Sequence, residues 1–238
     1  MTTFAADYSW VPEFRRGHLV NGYCLTLIRG ISAREFLERV GAEVDGEYEG
    51  FDAFNDADSD FQDDQEFWGD RFFIGAAPAP EIGWTFALEI NGGIESQTDA
   101  LAYASRGTSV ITHSAGAAAM NHFSWWENGD LRTRFERPAE RTGSSPDALV
   151  EVMAQSGLDV THGQSVSASE LFAVAGNVSG IHFTPEVLER AVYLTGVVEA
   201  PAEGWQRIVI HSRGADGGSE RVEIVNPDDP SGELSERP

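Results

Sequence analysis

The sequence predicts an α+β fold in which helices pack on a mainly antiparallel sheet. Segments with strand-like and helix-like patterns are mixed along the chain, without the regular strand–helix–strand alternation of a doubly wound sheet. An Asn-Gly pair at residues 128–129 separates two strand-like segments, a pattern typical of a β-hairpin. The 238 residues, 41% of them hydrophobic, suffice for one substantial core. We therefore expect a single globular domain over residues 1–225 and a flexible acidic tail over residues 226–238.

The first half of the chain is predicted to supply a buried strand, a capped helix and a meander. Residues 22–28 are rich in strand formers, and Ser32 with Glu35 has the spacing of a capping box for a helix that ends at Gly41. A strand over residues 84–90 should turn at residues 91–93 and lead to a short helix over residues 98–105. Further strands are expected over residues 109–112, 121–126 and 131–136, the last two joined by the Asn-Gly hairpin.

The second half is predicted to be more helical. Ser145 and Pro146 suit the start of a helix that runs to about residue 156, and Thr184 and Pro185 suit the start of another that runs to residue 194 before Gly196. A further helix is expected over residues 169–175. Residues 205–211 and 221–225 are expected to form a final hairpin.

The charge balance excludes several function classes. The chain carries 39 acidic side chains and 16 basic ones, for a net charge of −23, and every basic residue other than histidine is arginine. The lack of lysine excludes Schiff-base chemistry and a phosphate-loop lysine. Because so acidic a body repels phosphate backbones, we expect no direct nucleic-acid binding. Arginine use in a GC-rich genome and selection for solubility would also explain this composition without any function.

Cofactor and metal motifs are not found. Cys24 is the single cysteine, so neither an intrachain disulfide nor a cysteine-only metal cluster can form. The six histidines show no HExxH or HxH spacing, and the glycines form neither GxGxxG nor GxxxxGK[ST]. The first ten residues lack the pattern of a signal peptide, and no segment is apolar enough to span a membrane. We expect a cytoplasmic protein without cofactor or metal; the oligomeric state stays open.

An acidic segment over residues 51–70 is the main candidate for interaction. It holds eight acidic side chains and no basic one, interleaved with aromatic residues, and such self-repulsion favours a loop. Its start resembles a calcium loop, but Phe61 and Phe67 stand where glycine and glutamate are needed, so an EF-hand is not expected. The candidate interaction residues are Asp56, Asp58, Asp60, Phe61, Asp63, Asp64, Glu66 and Trp68.

A second candidate site is centred on Ser114. Residues 109–117 suggest a strand that runs into a turn of small residues, as in the nucleophile elbow of α/β-hydrolases. Gly116 fits that motif, whereas Thr112 stands where the elbow needs a small residue. Asp147 or Asp159 with His162, His182 or His211 could complete a triad, a combination that almost any chain of this size offers.

Several structural motifs resemble those of an actinobacterial family of uncharacterised proteins. They are GYCLTLIRG at residues 22–30, GWTFALE at residues 83–89, ENGD at residues 127–130 and GSSPDAL at residues 143–149. The resemblance covers roughly residues 8–198. It implies no activity, since the family has none assigned, and it implies that Ser114 lies in an ordinary strand.

Two functions follow from these observations. The first is a non-enzymatic binding protein whose acidic surface, including residues 51–70, engages a basic protein partner, with an immunity or inhibitor role as one form. The alternative is a serine hydrolase with Ser114 as the nucleophile.

Overall fold

A computed structural model gives the architecture. It describes residues 2–17, 19, 22–65, 71–90, 93–116 and 121–199, together with the backbone of residues 207–213 and 219–225. Contacts divide the chain into two units, Met1–Glu199 and Ala200–Pro238. The acidic tail predicted over residues 226–238 lies outside the described residues, and the single domain over residues 1–225 stays a prediction.

The first unit is built on an eight-stranded antiparallel sheet, so the predicted α+β class is confirmed. Its strand order is β2-β8-β3-β4-β1-β5-β6-β7. The strands are β1 (Gly22–Arg29), β2 (Glu43–Glu49), β3 (Arg71–Pro78), β4 (Trp84–Ile90), β5 (Ser109–Gly116), β6 (His122–Glu127), β7 (Asp130–Phe135) and β8 (Val192–Glu199). Strand β1 lies inside the sheet because its residues are apolar on both faces, and all but the last are buried.

Helices cover both faces of this sheet. They are α1 (Ala33–Arg39), α2 (Phe51–Asp63), α3 (Thr98–Ala104), α4 (Val150–Gln155), α5 (Ala168–Ser179) and α6 (Pro185–Arg190), with short 3₁₀ turns that include Ile94–Ser96. The predicted cap of α1 is present, since Ser32 Oγ accepts a hydrogen bond from the Glu35 amide at 3.2 Å. Helix α5 begins at a full capping box of Ser167 and Glu170.

The two faces of the sheet bury different side chains. Successive strand residues point to opposite faces, so Leu25 and Leu27 join one core whereas Cys24 and Ile28 join the other. The first core, which we call the aromatic face, holds Phe86, Phe123, Phe172 and Tyr193 among others and is covered by α2 and α5. The second face is covered by α1, α3 and the turn Ile94–Ser96.

The predicted loop over residues 51–70 is wrong for its first thirteen residues, which form α2. Phe51, Phe54, Asp58 and Phe61 recur at helical spacing and form an inward stripe. Burial of these rings offsets the repulsion between the carboxylates on the outer face. Residues 66–70 lie outside the described residues.

Other boundaries also differ from the prediction. Strands β2 and β3 were not predicted, and the helix expected over residues 184–194 ends at Arg190, because β8 starts at Val192 and pairs with strands on both sides. Helix α4 begins at Val150 rather than Ser145, and β5 continues to Gly116. The Asn-Gly hairpin is confirmed, with positive φ angles of 53° at Asn128 and 86° at Gly129.

The second unit contains the predicted final hairpin. Its strands are β9 (Arg207–Arg213) and β10 (Ser219–Val225), which pair antiparallel with Ser219 opposite Arg213 and Val225 opposite Arg207.

Candidate functional site

The predicted interaction residues of α2 lie on two sides of the helix, one exposed and one facing the core. Asp56, Asp60, Asp63 and Asp64 are exposed, the last as the C-cap of the helix. Asp58 instead is buried, at 3% exposure, and Phe61 is half-buried with its ring 5.5 Å from that of Phe73. Asp58 therefore does not belong to an exposed interaction surface, because it lies on the inward stripe, whereas the role of the half-buried Phe61 stays a prediction. Glu66 and Trp68 lie outside the described residues.

Further exposed acids lie in strand β2, which directly precedes α2 in the sequence. Strand β2 stands at the edge of the sheet, and each of its exposed residues is acidic. The strand acids do not all share one side, since Glu47 lies opposite Leu194, which packs in the second core, whereas α2 covers the aromatic face. We call the combined set the acidic surface. It consists of Glu43, Asp45, Glu47, Glu49, Asp52, Asp56, Asp60, Asp63 and Asp64.

Few cations balance this surface. Arg15 Nε lies 2.9 Å from Asp52 Oδ1, and Arg15 Nη1 lies 3.3 Å from Glu189 Oε1. Among the described residues, Asp52 is the only one of the nine acids in an ion pair. The uncompensated charge therefore faces solvent along one continuous stretch of chain, residues 43–64.

Asp58 behaves differently from the acids around it. Burial raises its pKa to about 6, while a hydrogen bond from Gln62 Nε2 at 3.4 Å opposes the shift. A carboxylate removed from water in this way destabilises the fold at neutral pH rather than contributing to surface recognition.

Ser114 lies within strand β5, as the family resemblance implies, and not at the turn that a nucleophile elbow requires. Strand β5 continues two residues past Ser114, which pairs with Cys24 of β1 on one side and His122 of β6 on the other. The expected triad partners are engaged elsewhere. Asp159 contacts His162 at 2.7 Å, and Asp147 contacts Arg141 at 2.6 Å. The His182 ring lies 5.7 Å from Tyr8, and His211 belongs to the second unit.

The strand register does, however, align Ser114 with other reactive groups. Cys24 pairs with Glu89 of β4 as well as with Ser114, so Glu89, Cys24, Ser114 and His122 occupy matching positions on four neighbouring strands. Directly opposite residues in antiparallel strands share a face, and this is the second face of the sheet. We call these four residues the polar row. Cys24, Glu89 and Ser114 are each at most 4% exposed.

The turn Ile94–Ser96 brings a second carboxyl group to the polar row. Glu89 Oε2 accepts hydrogen bonds from the amides of Gly93 at 3.1 Å and Ile94 at 3.2 Å, which hold this turn over the strands. Glu95 is thereby placed near Glu89, Cys24 and Ser114, close enough to influence the pKa values of Glu89 and Cys24. Ser114 Oγ and Cys24 lie close enough to Glu95 to lower its pKa, yet Ser114 Oγ completes no hydrogen bond of normal geometry with a described residue.

Burial is the largest cause of the pKa shifts of Glu89, Glu95 and Cys24. It raises the pKa of Glu89 well above the usual range, and the neighbouring Glu95 raises it further. Burial also raises the pKa of Glu95 and, together with both carboxyl groups, that of the Cys24 thiol. Cys24 is therefore a protonated thiol at neutral pH and not a nucleophile. At the outer end of the row, His122 Nδ1 lies 3.5 Å from Glu136 Oε1.

The adjacent residue of β5 faces the opposite core. His113 Nδ1 lies 2.9 Å from the Tyr23 hydroxyl, and its ring packs at 4.7 Å from Phe172. Burial lowers the pKa of His113 to about 3, so the imidazole is neutral. This pair is structural, because it is enclosed by the aromatic face.

Sequence reasoning missed Glu89, Glu95 and His122 as members of a common site. One signal was present: Glu89 is an acidic residue in the predicted strand over residues 84–90, where the apolar neighbours indicate burial. The strand pairing that unites Glu89 with Ser114 was not encoded in any local motif.

A membrane span and a metal centre both find no support in the part of the chain that the structure describes. None of the helices there is long and apolar enough to cross a bilayer. No group of three or more His, Cys, Asp or Glu side chains in those ranges could hold a metal ion.

Comparison with protein families gives one assignment. A family model described as a family of unknown function, DUF6461, matches residues 1–202. The chain belongs to DUF6461. No curated protein and no solved structure matches the chain significantly. The resemblance to a family without assigned activity is thus confirmed, while its actinobacterial origin stays a prediction.

Proposed function

We propose that this DUF6461 member is a non-enzymatic binding protein whose acidic surface engages a basic protein partner. The observation that carries the proposal is the run of nine exposed carboxylates between residues 43 and 64, of which Asp52 alone is ion-paired among the described residues. Exposed charges of one sign steer an oppositely charged partner and set its orientation. An immunity or inhibitor role, in the cytoplasm of an actinobacterium, is one form that such binding would take.

Helix stability does not explain this arrangement. Asp52, Asp56, Asp60 and Asp64 follow one another at intervals of four residues, so like charges repel along the helix. Asp63 and Asp64 also stand at the carboxyl end of α2, where the helix dipole disfavours anions and where no basic residue compensates. Apart from Asp52, which lies in the first turn and pairs with Arg15, these acids therefore cost stability, which supports a role outside the helix itself.

The edge strand contributes the other four acids, with Glu47 on the side of the sheet opposite to α2. The outer edge of β2 is unpaired within the described sheet, and its acids would deter contact with another acidic copy of the chain. A basic segment would meet attraction there instead. The surface thus discriminates between partners by charge sign.

A pair of variants with equal net charge tests the proposal. Wild-type protein would be used to capture and identify a partner, whose affinity is then measured by calorimetry at about 50 mM and about 300 mM salt. The surface variant replaces four acids by their amides, and the control replaces four exposed acids elsewhere. The surface set is Asp56, Asp60, Asp63 and Asp64; the control set is Glu13, Glu38, Asp99 and Glu151.

We expect the surface variant to weaken binding by about 10-fold or more and to reduce its salt dependence, while the control stays within about 2-fold of wild type. Equal losses in both variants would mean that only net charge matters, and would overturn the proposal. So would an affinity that the surface variant leaves unchanged.

The alternative, a serine hydrolase acting through Ser114, has weaker geometric support. Ser114 lies in a strand paired on both sides, so the backbone amides around it serve the sheet and are not free to stabilise an oxyanion. We expect a fluorophosphonate probe to label wild-type protein no more than the Ser114→Ala variant. Labelling that depends on Ser114 would instead favour the hydrolase.

A further inference from the structure

An open groove lies at the end of the sheet where β1 leads into α1. It encloses about 1000 Å³ between residues 29–31, helix α1, residues 107–109 and the hairpin of β6 and β7. We call it the end groove. Its volume suits a small ligand. Among the described residues that line it, Ile31 is the only large apolar one, so a ligand there would be held by charged and polar groups.

The charge of the end groove differs from that of the whole chain. The chain carries 16 arginines against 39 acids, whereas the described lining of the groove holds three of each. These residues are Arg29, Arg39 and Arg132 with Glu35, Glu127 and Asp130. An anion would be repelled by the net charge of −23, and a cation finds no excess of acids in the groove. A ligand that carries both signs matches this lining best.

Two of the three arginines are already engaged. Arg39 Nη2 donates to Glu35 Oε1 at 2.7 Å, and Arg39 Nη1 donates to two backbone carbonyl oxygens, each at 2.9 Å. Arg132 Nη1 donates to Asp130 Oδ2 at 3.4 Å. These contacts hold both guanidinium groups in place as walls of the groove.

Arg29 and Glu127 retain charge that is not fully paired. The Arg29 side chain is exposed, and its guanidinium group makes no ion pair or hydrogen bond with a described residue. Glu127 Oε2 lies 3.8 Å from Arg132 Nε, which is too far for a hydrogen bond, and the Glu127 side chain is 51% exposed. One cation and one anion of the groove are therefore available to a ligand.

The strand register places these two charges on either side of the groove. Ser109 of β5 pairs with Glu127 of β6, and Ile28, the residue before Arg29, pairs with Val110, the residue after Ser109. Strand β5 thus lies between Arg29 and Glu127, whose backbones are about 10 Å apart, twice the spacing of neighbouring strands. A small ligand that carries both signs can bridge side chains at this separation.

We propose that the end groove binds a zwitterionic ligand of the α-amino-acid class, with its carboxylate on Arg29 and its ammonium group on Glu127. A guanidinium group binds a carboxylate through two parallel hydrogen bonds, and a carboxylate accepts hydrogen bonds from an ammonium group. Between them, Ser109 Oγ accepts a hydrogen bond from Trp125 Nε1 at 3.0 Å and keeps its own proton to donate to the ligand. The end groove shares no residue with the acidic surface, so this inference does not depend on the proposed function.

Titration of the full chain with L-glutamine, followed by ¹H–¹⁵N NMR, tests the site. The titration is done at about pH 6.5, where an α-amino group is protonated. The amides of Gly107 and Asn128 report on the groove, since the first donates to Asn128 Oδ1 at 3.1 Å and the second to the Thr108 carbonyl oxygen at 2.9 Å. We expect saturable shifts at both amides, with a Kd in the millimolar range or tighter.

Two derivatives of the ligand each remove one of its charges. N-acetyl-L-glutamine lacks the ammonium group, and L-glutaminamide lacks the carboxylate. We expect each derivative to bind roughly 10-fold or more weakly than glutamine, because each loses hydrogen bonds between charged groups.

Variants of the protein then assign the two contacts. Arg29→Gln is expected to weaken glutamine binding by roughly 10-fold or more and to leave the affinity for L-glutaminamide unchanged, because that derivative has no carboxylate. Glu127→Gln should weaken glutamine binding to a similar extent and leave the affinity for N-acetyl-L-glutamine unchanged. Arg34→Gln and Glu38→Gln, at exposed positions of α1 that do not line the groove, are the matched controls and should bind as wild type.

Several outcomes would overturn the proposal. One is the lack of a saturable shift at Gly107 and Asn128 with glutamine, and another is a derivative that binds as tightly as glutamine. A third is an Arg29→Gln or Glu127→Gln variant that loses no more affinity than the controls. Equal losses for glutamine and for the corresponding derivative would show that the substitution changes the shape of the groove and not a charged contact, which also contradicts the proposal.

Discussion

The acidic surface and the polar row are both rich in carboxyl groups, but they hold them in opposite environments. The nine acids of the surface are exposed and act through water on whatever approaches. Glu89 in the row is buried, its pKa is raised, and its neighbours lie within contact distance. Exposed charges therefore influence association at long range and stability weakly, whereas buried ones influence stability strongly.

Helix α2 shows the same contrast within one element. Its outer side carries the acids of the surface, and its inner side places Phe54 at 4.6 Å from the Tyr193 ring and 5.8 Å from the Phe73 ring. An added Cβ at Gly75 would lie 2.5 Å from the Phe54 ring, so glycine there is needed for this close approach. The aromatic side of α2 packs on the sheet and holds the helix in place, and the opposite side exposes the acids to solvent.

The largest expected effect is at Phe54, which is fully buried. Phe54→Ala should lower the free energy of unfolding by about 3–5 kcal/mol, because it leaves a cavity between α2 and the sheet. Urea denaturation measures the loss, and Phe4→Ala, at a ring 52% exposed, is the control. A loss below about 1 kcal/mol would show that the aromatic side does not anchor the helix.

Glu89→Gln should alter the pH dependence of stability. Because the folded-state pKa of Glu89 is raised, the folded state retains a proton that the unfolded state releases. Wild-type stability therefore falls as pH rises above about 4.5, through the range in which Glu89 ionises. The glutamine variant should lack this contribution. Identical pH profiles for the two proteins, from denaturation at several pH values, would contradict the buried position of Glu89.

Asp58→Asn should stabilise the protein at neutral pH. The folded-state pKa is about 6 against an ordinary value of 3.8, so the charged form is disfavoured in the fold above that range. A pKa shift of roughly two units corresponds to a gain of about 3 kcal/mol at pH 7, which should disappear as pH falls from about 6 to about 4. Asp56→Asn, two residues earlier on the exposed side of α2, should produce no comparable gain in stability.

The smallest expected effect is at the end of α2. Asp63→Asn and Asp64→Asn should each raise stability by a few tenths of a kcal/mol, because they remove anions from the negative end of the helix dipole. Asp52→Asn, in the first turn, should do the reverse, since it also removes the ion pair with Arg15. Thermal unfolding at low salt compares the three variants; a common sign would contradict the dipole explanation.

Local patterns predicted much of the fold. The β1 segment, the cap at Ser32 and the Asn-Gly hairpin were correct because each depends on neighbouring residues alone. Helix α2 was missed because charge repulsion was weighted above the helical spacing of Phe51, Phe54 and Phe61. Strand β8 was missed because its pairing with β2 and β3 involves residues more than a hundred positions away.

The candidate sites were predictable only in part. Ser114 and the exposed acids of α2 were identified by residue type, but the buried position of Asp58 required the helix phase. The polar row required the sheet order, which places β4, β1, β5 and β6 side by side although β4 is distant from β1 in sequence. No spacing rule along the chain could have united Glu89 with His122.

Carboxyl-to-amine cross-linking of the protein with its captured partner tests the proposed binding surface most directly. A carbodiimide joins Asp and Glu side chains to lysine amines, and this chain has no lysine, so none of its side chains can supply the amine for an internal cross-link. Mass spectrometry is expected to locate the cross-links to partner lysines at acids between Glu43 and Asp64, with their yield falling as salt increases. Cross-links confined to Glu38, Asp99 or Glu151, or a yield indifferent to salt, would contradict the account.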